Sequence, residues 1–327
     1  MSLFCWNCRG LRNPQIEQEL EDLIQAQAPS IVFLTETWLD KTRLEEIRVR
    51  YKFGGLIEVS RESQGGVAVF WRADCDFSAD TYSLNHIDAI VNKGKDDEWR
   101  FTGFYGEPYT NNYHESWAKL CTLKNKFSML WLCERDFNEI VQAHEKLGGH
   151  LRPIGQMEEF RAVLDECGFQ DLGYVGNKFT WCNGHEEGYT IWERLERAVA
   201  TTDWIEKFPI TKVLHLECGS SDHKPLIILP MGIPKRRWKP WQFEQMWLED
   251  EECRGIVESA WSQDFMDRPF DKVEEKIKHC QAQLSRWRRV TFGNITKALT
   301  EKKKQLKRAE EVAMQGGSID RIHRLKW

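Results

Sequence analysis

Several signatures are missing from this chain of 327 residues. No apolar run is long enough to span a bilayer, so an integral membrane role is excluded. The amino terminus passes from Met1-Ser2 straight into apolar sequence, without the charged-then-apolar pattern of a secretory signal. No Gly-rich phosphate loop opens a helix, which argues against a parallel nucleotide-binding sheet. The ten cysteines include one close pair, Cys5 and Cys8, with no second pair at metal-like spacing. That speaks against zinc and against a small disulfide scaffold. The thiols read as buried and reduced, and the chain as an intracellular protein. Positive charge is scarce in the first two thirds: residues 1–232 carry 25 Lys+Arg against 36 Asp+Glu, a balance of −11. Tight nonspecific binding of nucleic acid by that part is disfavoured, since phosphate contacts need Lys and Arg.

The length is enough for a full core with an appendage. Leu3-Phe4-Cys5-Trp6-Asn7-Cys8 reads as a strand, 15–27 as a helix with a stripe of Ile16, Leu20, Leu23 and Ile24, and Ile31-Val32-Phe33-Leu34 as a buried strand. Further strands are expected at 66–71, 129–133, 180–181, 190–192, 195–199, 213–216 and 225–229, with 86–91 and 99–105 forming a hairpin. Helices are expected at 113–126 and 156–167. This alternation predicts two facing mixed sheets with helices outside.

Residues 230–240 contain Pro230, Pro234, Pro240 and four Lys/Arg, and mark a boundary between a domain over 1–232 and a tail over 233–327. The tail carries 21 Lys+Arg against 15 Asp+Glu, a balance of +6. Trp241, Phe243 and Met246-Trp247 fit a short helix; Val273, Ile277, Cys280, Leu284 and Trp287 fit a longer amphipathic one; 295–313 fits a Lys-rich one. The chain ends at Trp327 while still basic and periodic, as a segment cut from a longer polypeptide would.

Polar residues gather where apolar runs stop. Asp136 and Asn138 follow the run at 129–133, two residues apart, so both are expected to point the same way from its end. Glu36 follows the strand at 31–34, Asn7 lies in the first strand, and Asp222-His223 sits between two apolar runs. Any one of these reads equally well as a solvated or turn residue. Together they offer oxygen ligands of the kind Mg²⁺ prefers, plus a histidine that an acid can orient. That combination suits metal-assisted hydrolysis of a phosphoester.

Trp6-Asn7-Cys8-Arg9-Gly10-Leu11, Leu34-Thr35-Glu36-Thr37, Gly103-Phe104-Tyr105-Gly106-Glu107-Pro108, Asp136-Phe137-Asn138-Glu139, Glu193-Arg194-Leu195-Glu196-Arg197-Ala198 and Ser221-Asp222-His223-Lys224-Pro225-Leu226 occur in one order. In that order they resemble the endonuclease/exonuclease/phosphatase superfamily, and most of all the apurinic-endonuclease-like domain of plant LINE-type (non-LTR) retrotransposon polyproteins. The resemblance covers about residues 1–230, and the tail is similar to the connector before the reverse transcriptase of those polyproteins. It implies an α/β fold, a four-layer αββα sandwich with a helical C-terminal extension, and Mg²⁺ or Mn²⁺ as cofactor. DNA is the implied substrate, with a nuclear location if genomic DNA is cut. Carried over, Glu36 is the main metal ligand, Asn7 shapes the metal and phosphate site, and Asp222 joins the metal network. Tyr105 contacts the scissile phosphate or supports the nucleophile, Asp136 positions or activates water, Asn138 holds the phosphate, and His223 stabilises developing charge with Glu196 oriented towards it.

Two positions depart from that branch. Glu196 stands where Asp is usual, which moves the carboxylate by one methylene, and a shift of about 1 Å at a catalytic site can cost about 10²-fold. Arg135 stands where Gly is common, which fits only if the backbone there needs no positive φ. Three readings follow: a metal-dependent DNA endonuclease, a noncatalytic remnant or binding module that uses the basic tail, and a hydrolase of small phosphoesters or phosphoinositides.

Overall fold

Alternation along short apolar strands sorts side chains onto the two faces of each sheet, so that three large cores form around the sheets. The structure is a computed structural model and describes residues 1–60, 65–185, 189–233, 243, 245–263, 269–291 and 293–325. The chain divides into two compact units, Met1–Ile233 with Val312–Trp327, and Pro234–Glu311.

In the first unit, one six-stranded sheet runs Lys212–His215, Leu226–Leu229, Leu3–Asn7, Ile31–Thr35, Gly66–Trp71, Gly55–Ser60. A second runs Phe169–Asp171, Glu196–Thr201, Trp131–Asp136, Trp99–Tyr105, His86–Val91, Phe77–Ser83. Each sheet has one parallel pair, Leu3–Asn7 with Ile31–Thr35 and Trp99–Tyr105 with Trp131–Asp136; the other pairs are antiparallel. Parallel neighbours need a crossover, and the helices Pro14–Gln27 and Tyr113–Lys124 occupy those two connections. The first of these helices starts where the sequence predicts: Asn13 accepts from the Gln15 N–H and Pro14 takes the first turn.

Leu3, Cys5, Phe33, Val67, Val69, Phe101, Leu132, Ala198 and Ala200 meet between the sheets. Phe4, Trp6, Val32 and Leu34 face the other way, with Leu20, Leu23, Leu44 and Ile47 of the helices Pro14–Gln27 and Lys41–Arg50. Phe104, Cys133 and Val199 pack with Trp117, Leu120 and Phe160 of the helices Tyr113–Lys124 and Ile154–Glu166. The result is helix, sheet, sheet, helix: the four-layer αββα sandwich with a helical C-terminal extension. Gly103 sets the closeness of the two sheets. A Cβ there would lie 2.5 Å from the Phe33 ring.

The tail holds the helices Glu251–Trp261, Pro269–Thr291 and Gly293–Met314. Within the second unit Trp247, Cys253, Leu284 and Trp287 form a small core, and the Trp287 indole N–H donates to Glu252 at 2.9 Å. The expected stripe on the long helix is only partly buried, since Val273 and Ile277 are 47% and 53% exposed. Trp241 and residues 234–240 of the expected boundary lie outside the described residues. Among the described residues no helix is long and apolar enough to cross a membrane.

Candidate active site

The parity that builds the core also assembles the polar cluster. Continuing the inward-facing positions along each strand leads from Leu3 and Cys5 to Asn7, from Phe101 to Tyr105, from Leu132 to Asp136, and from Ala198 back to Glu196. Register then aligns them: Tyr105 and Glu196 are the direct cross-strand partners of Asp136 on its two sides. Asn7 closes the matching strand of the facing sheet, beside Thr35. Four polar side chains thereby end four strands at one mouth of the sandwich. Glu36 follows Thr35 in a left-handed conformation, φ 52°, which an L-residue adopts only when its surroundings enforce it. The Gly10 N–H donates to the Glu36 carbonyl at 2.8 Å and that of Leu11 to the Thr37 carbonyl at 3.0 Å, which holds the turn.

These groups bond to one another in sequence. The Tyr105 hydroxyl donates to Glu36 Oε1 at 2.7 Å. Asn7 Nδ2 donates to the same Glu36 oxygen at 2.8 Å and to Asp136 Oδ2 at 2.9 Å, so one amide joins the acids of the two sheets. His223 Nδ1 lies 3.6 Å from Asp136 Oδ2 and makes a short hydrogen bond to Glu196 Oε1. The added methylene of Glu196 is therefore accommodated: its carboxylate reaches the imidazole. His223 is fixed from behind, its N–H donating to Ser221 Oγ at 3.1 Å and its carbonyl accepting from the Trp6 indole at 3.0 Å.

Burial sets the electrostatics. It raises the Asp136 carboxyl to about 6, with Glu196 adding to the rise and His223, the Asn7 amide and the Asn138 N–H opposing it. Burial alone would lower His223, but Glu196 by charge and hydrogen bond, then Asp136 and Glu36, carry it above its ordinary value. Tyr105 is pushed up by burial and by Glu36 and Asp136, and so stays protonated as the donor to Glu36. One step further into the sandwich, burial raises Glu134 well above the carboxylate range and the Cys5 thiol beside it rises as well.

Asn138 departs from the expected geometry. The strand continues through Asp136, and Asn138 takes φ 52°, so simple alternation does not relate the two. Its backbone N–H donates to Asp136 Oδ1 at 3.1 Å, while its side-chain amide donates to the Gly106 carbonyl at 2.9 Å. Asp222 has other partners: the Trp181 indole donates to Oδ2 at 3.0 Å and Arg9 forms a close ion pair with the same oxygen. Arg135 occupies an extended strand position paired with Arg197 and Phe104, so no positive φ is demanded there; its side chain lies outside the described residues. Arg9, Trp181 and Glu134 are polar members that residue spacing did not single out. Glu134 had a signal, an acid inside an apolar run and two residues from Asp136.

A divalent cation fits this donor set. Ligand atoms of Asp136, Glu196 and His223 lie within 4.8 Å of one another. Glu36 is linked to the cluster through Asn7, and its charge acts on the imidazole together with those of Glu196 and Asp136. Glu196 Oε2 and Asp222 Oδ1 are buried without a hydrogen-bond partner. Hard oxygen donors with surplus negative charge and unsatisfied lone pairs suit a hard divalent cation.

No family model matches the sequence, and no curated protein matches it. Solved structures do match in fold. The endonuclease domain of TRAS1, a telomere-specific non-LTR retrotransposon, is 14% identical with a TM-score of 0.52 over 69% of this chain and 96% of that one. The 3′-5′ exonuclease NExo from Neisseria meningitidis is 17% identical with a TM-score of 0.54 over 70% and 99%. An AP endonuclease from Archaeoglobus fulgidus is 13% identical with a TM-score of 0.52 over 70% and 98%. At these identities the likeness is one of fold.

Proposed function

We propose that this protein hydrolyses phosphodiester bonds of DNA with Mg²⁺ or Mn²⁺, as an endonuclease of LINE-type retrotransposon origin. The observation that carries the reading is the continuous network from Tyr105 through Glu36, Asn7 and Asp136 to His223 and Glu196. Glu36, the Asn7 oxygen and Asp222 are assigned to the metal in place of the Asp136, Glu196 and His223 cluster, because His223 Nδ1 is already engaged by Glu196. Asp222 would have to release Arg9 to take part. The metal when bound would polarise the phosphate and offset its charge. Asp136, with a pKa of about 6, is mostly ionised at neutral pH and close enough to it to accept a proton from water. Glu196 engages His223 Nδ1 and favours the imidazolium, which leaves Nε2–H to a phosphoryl oxygen as negative charge grows. Tyr105 and Asn138 position the phosphate. Supporting the retrotransposon origin are the ordered motifs and the fold shared with the TRAS1 domain. The chemistry is assigned to residues 1–232, and action on genomic DNA would place the protein in the nucleus.

The test is nicking of supercoiled plasmid by the full chain in Mg²⁺ and in Mn²⁺, beside a Glu36→Ala/His223→Ala double variant. Nicked circles are expected from the wild type alone. Equal nicking by the double variant, or none by either, would overturn the reading.

A second reading is favoured by one feature of the tail. Lys302, Lys303, Lys304, Lys307 and Arg308 are exposed along one helix, as a module that contacts nucleic-acid phosphates without cutting them would require.

A further inference from the structure

A hollow of about 300 Å³ opens beside Glu36 and Tyr105, walled by Trp38, Leu84, Pro108 and Tyr109. Among the described residues that line it are the acids Glu36 and Glu107 and no Lys or Arg. Trp38 and Tyr109 stay 44% and 71% exposed, although both are large aromatics. Trp38 is also held at φ 52°, a conformation that disfavours a bulky L-residue. Its indole lies against Gly10, φ 106°, where a Cβ would come within 2.6 Å of Cε3, and near Gly65, φ 70°, where the Cβ distance to Nε1 is 3.5 Å. The Thr37 N–H donates to the Gly66 carbonyl at 3.3 Å and helps fix the segment. Backbone strain and two left-handed glycines thus serve to present a half-exposed indole next to the central acid.

We propose that this hollow receives one unstacked nucleobase of the strand being cut, held by Trp38 and Tyr109; this rests on the nucleic-acid reading above. Its walls select the occupant. Among the described residues the wall carries acids and aromatics, so beyond the cation assigned to Glu36 it offers phosphate no partner, whereas its aromatic faces attract a flat neutral ring. Because Glu36 and Tyr105 belong both to the hollow and to the polar network, a ring seated there lies beside whatever the network holds. For a polynucleotide, that makes it a base flanking the scissile phosphate. Extruding a base is least costly where it is already unpaired, so single strands and mismatched sites are the favoured substrates.

The test uses the full chain, a short oligothymidylate carrying one 2-aminopurine, and Ca²⁺ as the cation. Binding by the wild type should change the 2-aminopurine fluorescence, and much less so when the same base is paired in a duplex. Trp38→Ala should weaken binding about 10-fold or more and abolish the fluorescence change, Tyr109→Ala should weaken it less, and Trp38→Phe should restore most of it. Should Trp38→Ala fail to fold, the contrast between Trp38→Phe and Trp38→Leu decides. Unchanged affinity and fluorescence in Trp38→Ala and Tyr109→Ala would overturn the proposal. Plasmid nicking in Mg²⁺ separates it from its premise: nicking with an unchanged signal removes the hollow alone. A lost signal in Trp38→Ala, with no nicking by the wild type, keeps the hollow and removes the hydrolase.

Discussion

The His223–Glu196 pair shows how one side chain sets the chemistry of another. Burial opposes the imidazolium and Glu196 overrides it, so Glu196→Gln should move the His223 titration to lower pH, read by NMR of the ring protons. An unmoved titration would show that the pair does not govern the charge. Asp136 carries a cost of the opposite kind. Its folded pKa of about 6 lies above the ordinary 3.8, so between those values the folded chain keeps a proton that the unfolded chain has released. Stability must therefore fall as pH rises through that window. His223 acts in the same direction: the stability it contributes is fully present below its unfolded pKa and is lost as pH rises through its raised folded one. Asp136→Asn should flatten the decline between about pH 4 and 6, measured by urea unfolding of the metal-free protein. A slope equal to that of the wild type would place the proton elsewhere. At this scale much was legible. Asn7, Glu36, Asp136 and His223 are brought together as their placement in and beside the apolar runs suggested, and Tyr105 and Glu196, named only through the family resemblance, join them. The reach of Glu196 was not, because it depends on the spacing between two strands. The left-handed turn at Asn138 was not either, since a run of Asx residues fits several turns.

Strand parity, rather than any single residue, positions the site, and it works only while the sheets keep their spacing. Gly103 faces Phe33 across that gap. Gly103→Ala should force the ring aside and cost about 1–3 kcal/mol, seen as a lower urea midpoint with unchanged m-value; a neutral result would mean that the Phe33 ring moves freely. The strands bearing the site were readable as apolar runs ending in polar groups. Gly55–Ser60 and Phe77–Ser83 were not read as strands. Both are edge strands with half-exposed, mixed side chains, so their apolar alternation is weak. The helix Lys41–Arg50 buries only Leu44 and Ile47, too little for a stripe to stand out among its charges.

Taken whole, the chain joins an acidic first part to a basic tail. A polyanion would be repelled by the one and drawn to the other, so nucleic-acid affinity should depend steeply on salt through the tail. Changing Lys302, Lys303 and Lys304 to Gln should reduce the slope of log K against log salt by about 0.9 for each phosphate no longer neutralised, measured by fluorescence anisotropy. A slope that stays the same would make these lysines the wet face of a helix. The layered architecture was legible because strands and helices alternate with clear periods. The tail was less so, because a stripe such as Val273 and Ile277 does not say whether anything covers it.

Asn7 has a further consequence as the one amide shared by acids of both sheets. Aspartate in its place would keep the side-chain shape and exchange the amide nitrogen for an oxygen. Here it would turn a double donor into an acceptor facing two acceptors, and the strands that now converge would repel. The pairing that closes the mouth of the sandwich thus hangs on a single nitrogen atom. Asn7→Asp should therefore lower the thermal midpoint with no change in side-chain volume, and an unchanged midpoint would show that the two sheets do not depend on the amide.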